Sequence, residues 1–215
     1  MSLFRLDSSI RGEGSVSREV ADTVQRAYTE QHPHATVVQR DLGLSPVPAD
    51  AWSTAALAGF TPEDQRTDEQ QAARALAAEL ADELLGADAA LIAAPLYNFG
   101  VPHHLKAWID LLITDPRLGP GTSPLAGRSV TLVIARGGGY ATGTPREGWD
   151  HATPYLLRIF GDVWGAEVTV VAAELTLADV TPAMESLRPA AAESKAQAHE
   201  LAEATGKALA SRTAA

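Results

Sequence analysis

Apolar residues in this chain come in two rhythms that alternate from one end to the other. Leu3-Phe-Arg-Leu6, Thr36-Val-Val-Gln-Arg40, Leu91-Ile-Ala-Ala94, Ser129-Val-Thr-Leu-Val-Ile-Ala135 and Val168-Thr-Val-Val-Ala172 are short apolar runs bounded by turn formers. They predict five strands, and the run at Leu91, small or apolar on both faces, predicts a strand covered by helices on each side. Between the runs the period lengthens. Val16, Val20, Val24 and Ala27 share one face of a helix over residues 17–31, with Arg18, Glu19, Asp22 and Arg26 largely opposite, and Ser15 or Ser17 stands where a cap belongs. Residues 67–85, dense in Ala, Glu, Leu and Gln, predict a helix ended by Gly86. Leu105, Trp108, Ile109 and Leu112 recur at helical spacing behind Pro102, and residues 151–164 read as a helix around Tyr155, Leu156, Ile159 and Phe160. An Ala-rich helix runs from Pro182 to about Arg212, with a break expected at Pro189. Residues 49–65 carry Trp52, Leu57 and Phe60 without a sustained period, which predicts a short helix or a lid. Residues 116–124 are too rich in Pro and Gly for either regular element.

Strand and helix in alternation imply an α/β fold with a parallel sheet and right-handed crossovers. With five strands, the flavodoxin-like order 2-1-3-4-5, with helices on both faces, is the most economical layout, in one domain spanning residues 1–215. The consequence is functional. Loops after strands one, three and four meet at one sheet edge, so residues 9–17, 95–99 and 136–140 are expected to share a crevice.

Composition narrows what that crevice does. The chain has no cysteine, which excludes disulfides, Cys-ligated zinc, iron–sulfur clusters and thiolate catalysis. Its net charge of −10, with no clustered excess of Lys and Arg, argues against nucleic acid as a partner. No apolar run approaches the roughly 20 residues of a membrane span, and Met1-Ser-Leu-Phe lacks an export pattern, so a cytoplasmic location is expected.

The candidate chemistry sits on the converging loops. Ser9, Ser15 and Ser17 precede a helix N-terminus, where hydroxyls, free amides and the helix dipole suit a phosphate, with Arg11 as added charge. Each serine alone is more simply a helix cap; three beside one switch-point loop favour a ligand. Pro95, Leu96, Tyr97, Asn98 and Phe99 form a tight aromatic turn that offers apolar contact, and Arg136-Gly-Gly-Gly139-Tyr140 ends the fourth strand. Three glycines there require close approach or positive φ. Phosphate on one side and a flat heterocycle on the other describe a mononucleotide such as FMN. An NAD-binding Rossmann loop built on Gly12-x-Gly14 is the weaker reading, because Ser17 occupies the third glycine position.

The Pro-Leu-Tyr-Asn-Phe turn with Val-Pro-x-x-Leu-Lys after it, the Ser9 and Ser15-x-Ser17 loop, Arg-Gly-Gly and Thr153-Pro-Tyr-Leu156 together resemble the FMN-dependent NAD(P)H azoreductase and quinone reductase family, in register from residue 3 to about 175. The resemblance implies a homodimer with FMN in each subunit and NADH or NADPH as reductant. It implies phosphate on Ser9, Ser15, Val16 and Ser17, and the isoalloxazine against Pro95–Phe99 and Gly137–Gly139. It also implies two-electron hydride transfer through flavin N5 to an aromatic acceptor, the flavin carrying the chemistry.

Departures from that family fall on the acceptor side. The connection from Leu112 to Ser129 looks short and lacks an aromatic-basic-aromatic segment, residues 141–152 look long and insert Arg146, Trp149, Asp150 and His151, and Asp162 stands where an aromatic residue is usual. Phe60, His103, Trp149 and Phe160 are the substrate-side candidates. Asp150 and His151 are candidates for an acid/base pair, although Asp150 serves equally as a helix cap; Asp162 is the third candidate for catalysis. No metal site is expected. Two alternatives stay open: an FMN-binding homologue with a rebuilt pocket for a specialised biosynthetic reduction or isomerisation, and a binding protein that has lost its cofactor.

Overall fold

The structure is a computed structural model and describes residues 1–213. Five parallel strands, β1 (Ser2–Asp7), β2 (Thr36–Asp41), β3 (Ala89–Pro95), β4 (Ser129–Ala135) and β5 (Glu167–Ala173), form one sheet in the order 2-1-3-4-5, the order expected from the sequence. All four pairings are parallel, with Asp7 beside Ala93 and Pro95 beside Ala135 at the carboxyl edge. The chain therefore reverses direction across the sheet between β1 and β3, and this switch point opens a crevice.

Alternation along the strands divides the core. Phe4, Leu6, Ile92, Leu132 and Ile134 face α2 (Ala51–Ala58), α3 (Asp68–Leu85) and α4 (His103–Leu112), while Leu3, Leu91, Ala93 and Val171 face α1 (Val16–Gln31) and α6 (Arg188–Thr213). β3 is buried at every position, as its apolar run requires. Thr67 starts α3 with a capping box to Gln70. In α6, Gly206 brings the helix against α1, since a Cβ there would lie 2.4 Å from the Val24 carbonyl.

Two segments differ from the periodicity reading, and a third agrees with it. The helix expected over 151–164 is α-helical only in α5 (Thr153–Leu157) and continues as a π-helical turn over Arg158–Val163. Trp164 donates its amide to the Ile159 carbonyl five residues back, and the wider turn lets the adjacent Ile159 and Phe160 both reach the core. Pro189 interrupts nothing: a 3₁₀ turn covers Pro182–Leu187, and α6 begins at Arg188, so the proline falls in the first turn, where its missing amide loses no bond. The segment between α4 and β4 has no regular element but packs onto the core through Leu118 and Leu125, with Trp164 Nε1 donating to the Leu118 carbonyl at 3.1 Å.

Candidate flavin site

The loop between β1 and α1 brings two buried serine hydroxyls to the head of the helix. Ser15 holds the N-cap position, yet its hydroxyl accepts no helix amide; instead Ser15 Oγ and Ser17 Oγ lie 3.2 Å apart, both buried. Two serines that do not cap leave the free amides of the first turn and two hydroxyls facing one spot. Gly14, at φ 65°, turns the chain into the helix. Ser9 Oγ accepts from the Arg11 amide at 3.2 Å, and Tyr97 Oη accepts from the Ile10 amide at 3.2 Å, which ties this loop to the turn after β3.

Beneath the loop, His104 Nε2 donates to the Ser8 carbonyl at 2.6 Å. Burial pushes the His104 pKa below its ordinary value, the bond to Ser8 only partly opposing it and the neighbouring His103 adding to the depression. The neutral Nε2–H form is therefore the one in place.

The turn after β3 is a two-residue hairpin. Tyr97 and Gly100 exchange backbone hydrogen bonds at 3.2 and 2.9 Å, and Asn98 and Phe99 between them have φ of 49° and 68°. Both being left-handed is the type I′ geometry, which suits Asn at the first position and glycine at the second. Phe99 is thus held in a conformation unfavourable for a bulky residue.

Ser9, Arg11, Ser15, Val16, Ser17, Pro95, Leu96, Tyr97 and Gly137, all identified from sequence, line one cavity of about 160 Å³. Gly14, Ala135, Thr176 and Leu177 complete it. Thr176 and Leu177 were not foreseen; the signal for them was that β5 neighbours β4, so the loop after β5 opens on the same edge. The lining contains one charged side chain, Arg11, and no acid, in a protein of net charge −10. Hydroxyls, amides, a lone cation and an apolar shelf fit the phosphate and ring of FMN. A larger cavity of about 560 Å³ is lined by Glu63, Arg66, Gln71, Arg74, Thr114 and Asp115 among others, with two acids, two arginines and no aromatic side chain.

The glycine segment meets the close-approach alternative. Gly137, Gly138 and Gly139 have no positive φ; Cβ atoms there would meet Leu177, Arg146 and Thr144 at 2.7, 2.7 and 3.2 Å. Arg136 contributes its backbone at this edge, but its guanidinium is turned away into ion pairs with Asp150 (2.8 Å) and Glu174 (2.8 Å), and it also donates to Thr153 Oγ1. Glu174 in turn accepts from the Tyr140 amide.

This network corrects the acid/base reading of Asp150. Its carboxylate accepts from the amides of Ala152 and Thr153 and from Thr153 Oγ1 besides the Arg136 pair, so it caps α5 and has no bond to His151. His151 is exposed, and its backbone amide donates to the Phe99 carbonyl at 2.9 Å. Trp149 packs edge-on to Phe99 at 5.4 Å, with Arg146 over the same ring.

Other candidates are not brought to the cavity. Phe160 is fully buried against Trp164 and is a core residue, because the π-helical turn rotates it inward. Asp162 is exposed in an ion pair with Arg158 at 2.7 Å. His103 is exposed at the start of α4, and Phe60, 90 % exposed past α2, is not among the residues that line the crevice. No cluster of potential metal ligands occurs among the described residues.

Comparison with known proteins decides the family. A model of the flavodoxin-like fold matches residues 1–201. An FMN-dependent NADH:quinone oxidoreductase of Streptomyces avermitilis is 44 % identical across 100 % of this chain and 99 % of its own. The chain belongs to the flavodoxin-like family that contains these oxidoreductases. An FMN-dependent NAD(P)H:quinone oxidoreductase 1 of Pseudomonas aeruginosa, from the same family, is 38 % identical over 80 % of this chain and 86 % of that one. The fold is shared with azoreductase AzrA (TM-score 0.79, 24 % identity, 97 % and 100 % coverage). It is shared also with an FMN-dependent NADH-azoreductase from Bacillus anthracis solved with FMN (TM-score 0.79, 22 %, 97 % and 99 %).

Proposed function

We propose that this protein is an FMN-dependent NAD(P)H:quinone oxidoreductase of the azoreductase type. The observation that carries the reading is the pair of buried, non-capping serines at the head of α1, in an acid-free cavity facing the Leu96–Tyr97 shelf. FMN supplies the hydride chemistry when bound. The chain's own work is to bind, orient and exclude water. Ser9, Ser15, Ser17 and the first-turn amides hold the phosphate; Pro95, Leu96 and Tyr97 support the ring; amides of the glycine segment offer donors where negative charge develops on reduction. The cavity lining contains no Asp, Glu or His, which fits a reaction in which protein groups need not shuttle protons.

A homodimer fits two features. At about 160 Å³ the cavity falls short of the roughly 300 Å³ of a typical ligand pocket, so further walls are needed. Trp52, Leu57 and Phe60 leave large apolar side chains exposed on and just past α2, which a second copy would cover. On this reading Phe60 and Trp149 bound the acceptor space, and the acceptor is a small planar aromatic molecule. No helix among the described residues is long and apolar enough to cross a membrane, and the need for a nicotinamide nucleotide supports a cytoplasmic site of action. Anaerobic NADH or NADPH should bleach the flavin of the purified protein, and added quinone should restore it. Protein that takes up no flavin, or flavin that neither nucleotide bleaches, would overturn the proposal.

A further inference from the structure

Arg18 lies on the face of α1 that helical periodicity assigns to solvent, yet its side chain is only 13 % exposed. It passes under the serine loop. Its Nε donates to the Arg11 carbonyl at 2.9 Å, and Nη2 donates to the Ser9 carbonyl at 2.8 Å. Nη1 and Nη2 also grip Asp41 at the end of β2, at 2.6 and 2.8 Å. Burial works to raise the Asp41 pKa, but the bonds from Arg18 and from the Leu44 amide outweigh it and hold the carboxyl below its ordinary value, so the pair is charged. Asp7, fully buried, stands 3.8 Å from Nη1 and is itself held by Arg5 and Gln39.

Gly43 bears on the same loop, its missing side chain leaving room for both the Ser9 carbonyl and Arg18 Nη2, which a Cβ would meet at 3.2 Å. It presses on the loop so closely that a Cβ there would lie 1.8 Å from the Ser9 carbonyl oxygen, a distance no side chain allows.

We propose that Arg18 is the positioning residue of the phosphate seat. By drawing the carbonyls of Ser9 and Arg11 down toward Asp41, it turns the hydroxyls and amides of residues 9–17 toward the ligand and so gives the protein its preference for a phosphorylated flavin. A planar fork is required for this. One guanidinium bonds two carbonyls and a carboxylate at once, whereas an ammonium at the end of a lysine cannot meet all three in a fixed geometry. Arg18 touches no cavity-lining hydroxyl directly, so its effect passes through the loop backbone.

The proposal rests on the FMN reading, and its test separates the two. The full-length protein, stripped of flavin, is titrated with FMN and with riboflavin, which lacks the phosphate, in the wild type and in Arg18→Lys, Arg18→Gln and Gly43→Ala. Each variant should bind FMN at least tenfold more weakly while riboflavin affinity stays within twofold, so the FMN-to-riboflavin preference collapses. Circular dichroism melts identify any variant that fails to fold, and Arg18→Lys, which keeps the charge, is the decisive one. A wild type that binds both flavins equally would overturn the phosphate reading itself. A wild type that discriminates, with folded Arg18 variants that discriminate equally well or lose both flavins in parallel, would overturn the role of Arg18 alone.

Discussion

The two ends of the crevice are held in opposite ways. At the phosphate end, backbone carbonyls, buried serines, Arg18, Asp41 and His104 are joined in a dense network under a loop that cannot move without breaking several bonds. At the other end, an exposed stretch over residues 141–149 is fastened by the Arg136 hub with Asp150 and Glu174, by the Thr144 hydroxyl on the Gly139 carbonyl, and by aromatic contact between Trp149 and a strained Phe99. A seat for one fixed cofactor needs pre-organisation, because every polar group must meet the phosphate at hydrogen-bond distance. A space that admits a nucleotide and then a different acceptor needs tolerance, and weakly tied loops supply it.

Breaking the phosphate end should produce the largest effect. In the double variant Ser15→Ala/Ser17→Ala, two hydrogen bonds to a charged group are lost, each worth roughly 1.5–3 kcal/mol. FMN affinity measured by fluorescence quenching should fall by at least about 100-fold, with little change in melting temperature. Unchanged affinity would mean the serines do not hold the phosphate.

The Arg136 hub comes next. Removing one partner of a buried ion pair costs about 3–5 kcal/mol, and the partial exposure here discounts that to roughly 2–3 kcal/mol for Arg136→Ala. Thermal melts read the loss, and limited proteolysis should nick residues 141–150 first, while FMN affinity changes little. A variant nicked no faster than wild type would show that the hub does not hold this loop.

His104 gives a smaller, pH-dependent effect. Its folded pKa is depressed, so between that value and the ordinary 6.5 the unfolded chain binds the extra proton and stability falls as pH drops below about 6.5. The slope cannot exceed about 1.4 kcal/mol per pH unit for one proton. Melts from pH 7.5 to 5.5 should show it, and His104→Gln should flatten it; an equal slope in the variant would assign the effect elsewhere.

Phe99→Gly should change stability least. Relief of a left-handed φ, about 1–2 kcal/mol, opposes the loss of an aromatic pair worth roughly 0.5–1.5 kcal/mol. The melting temperature should move by no more than a few degrees while the KM for quinone rises and that for NADH changes less. A large drop in stability would show that the turn is not strained.

How much of this was legible in the sequence divides along the same line. The five strands, their order and the three converging loops follow from apolar runs and alternation, which the parallel sheet obeys without exception. The serines were visible because three small hydroxyl residues before an amphipathic helix are a local signal. What periodicity could not show was partnership at a distance. Arg18 reads as one more polar residue on a helix face, and nothing local reveals that Asp41 and two loop carbonyls wait for it. Asp150 reads equally as a helix cap and as half of an acid/base pair with the adjoining His151; its bonds to Ala152 and Thr153 fit the cap, and neither reading points to its ion pair with Arg136, just past β4. Phe160 reads as a pocket residue in a regular helix, and only the π-helical turn sends it to the core. Thr176 and Leu177 lie in a loop without a motif, and strand order alone places them.

On the proposed reading the cofactor sits at the switch point, phosphate on the serine loop, and not in the larger cavity beside α3. Hydrogen exchange of the flavin-free and FMN-loaded protein tests this most directly. FMN should slow exchange at residues 10–17, 96–98 and 137–139 and leave residues 63–78 and 114–115 unchanged. Protection centred on those latter residues, or none at 10–17, would contradict it.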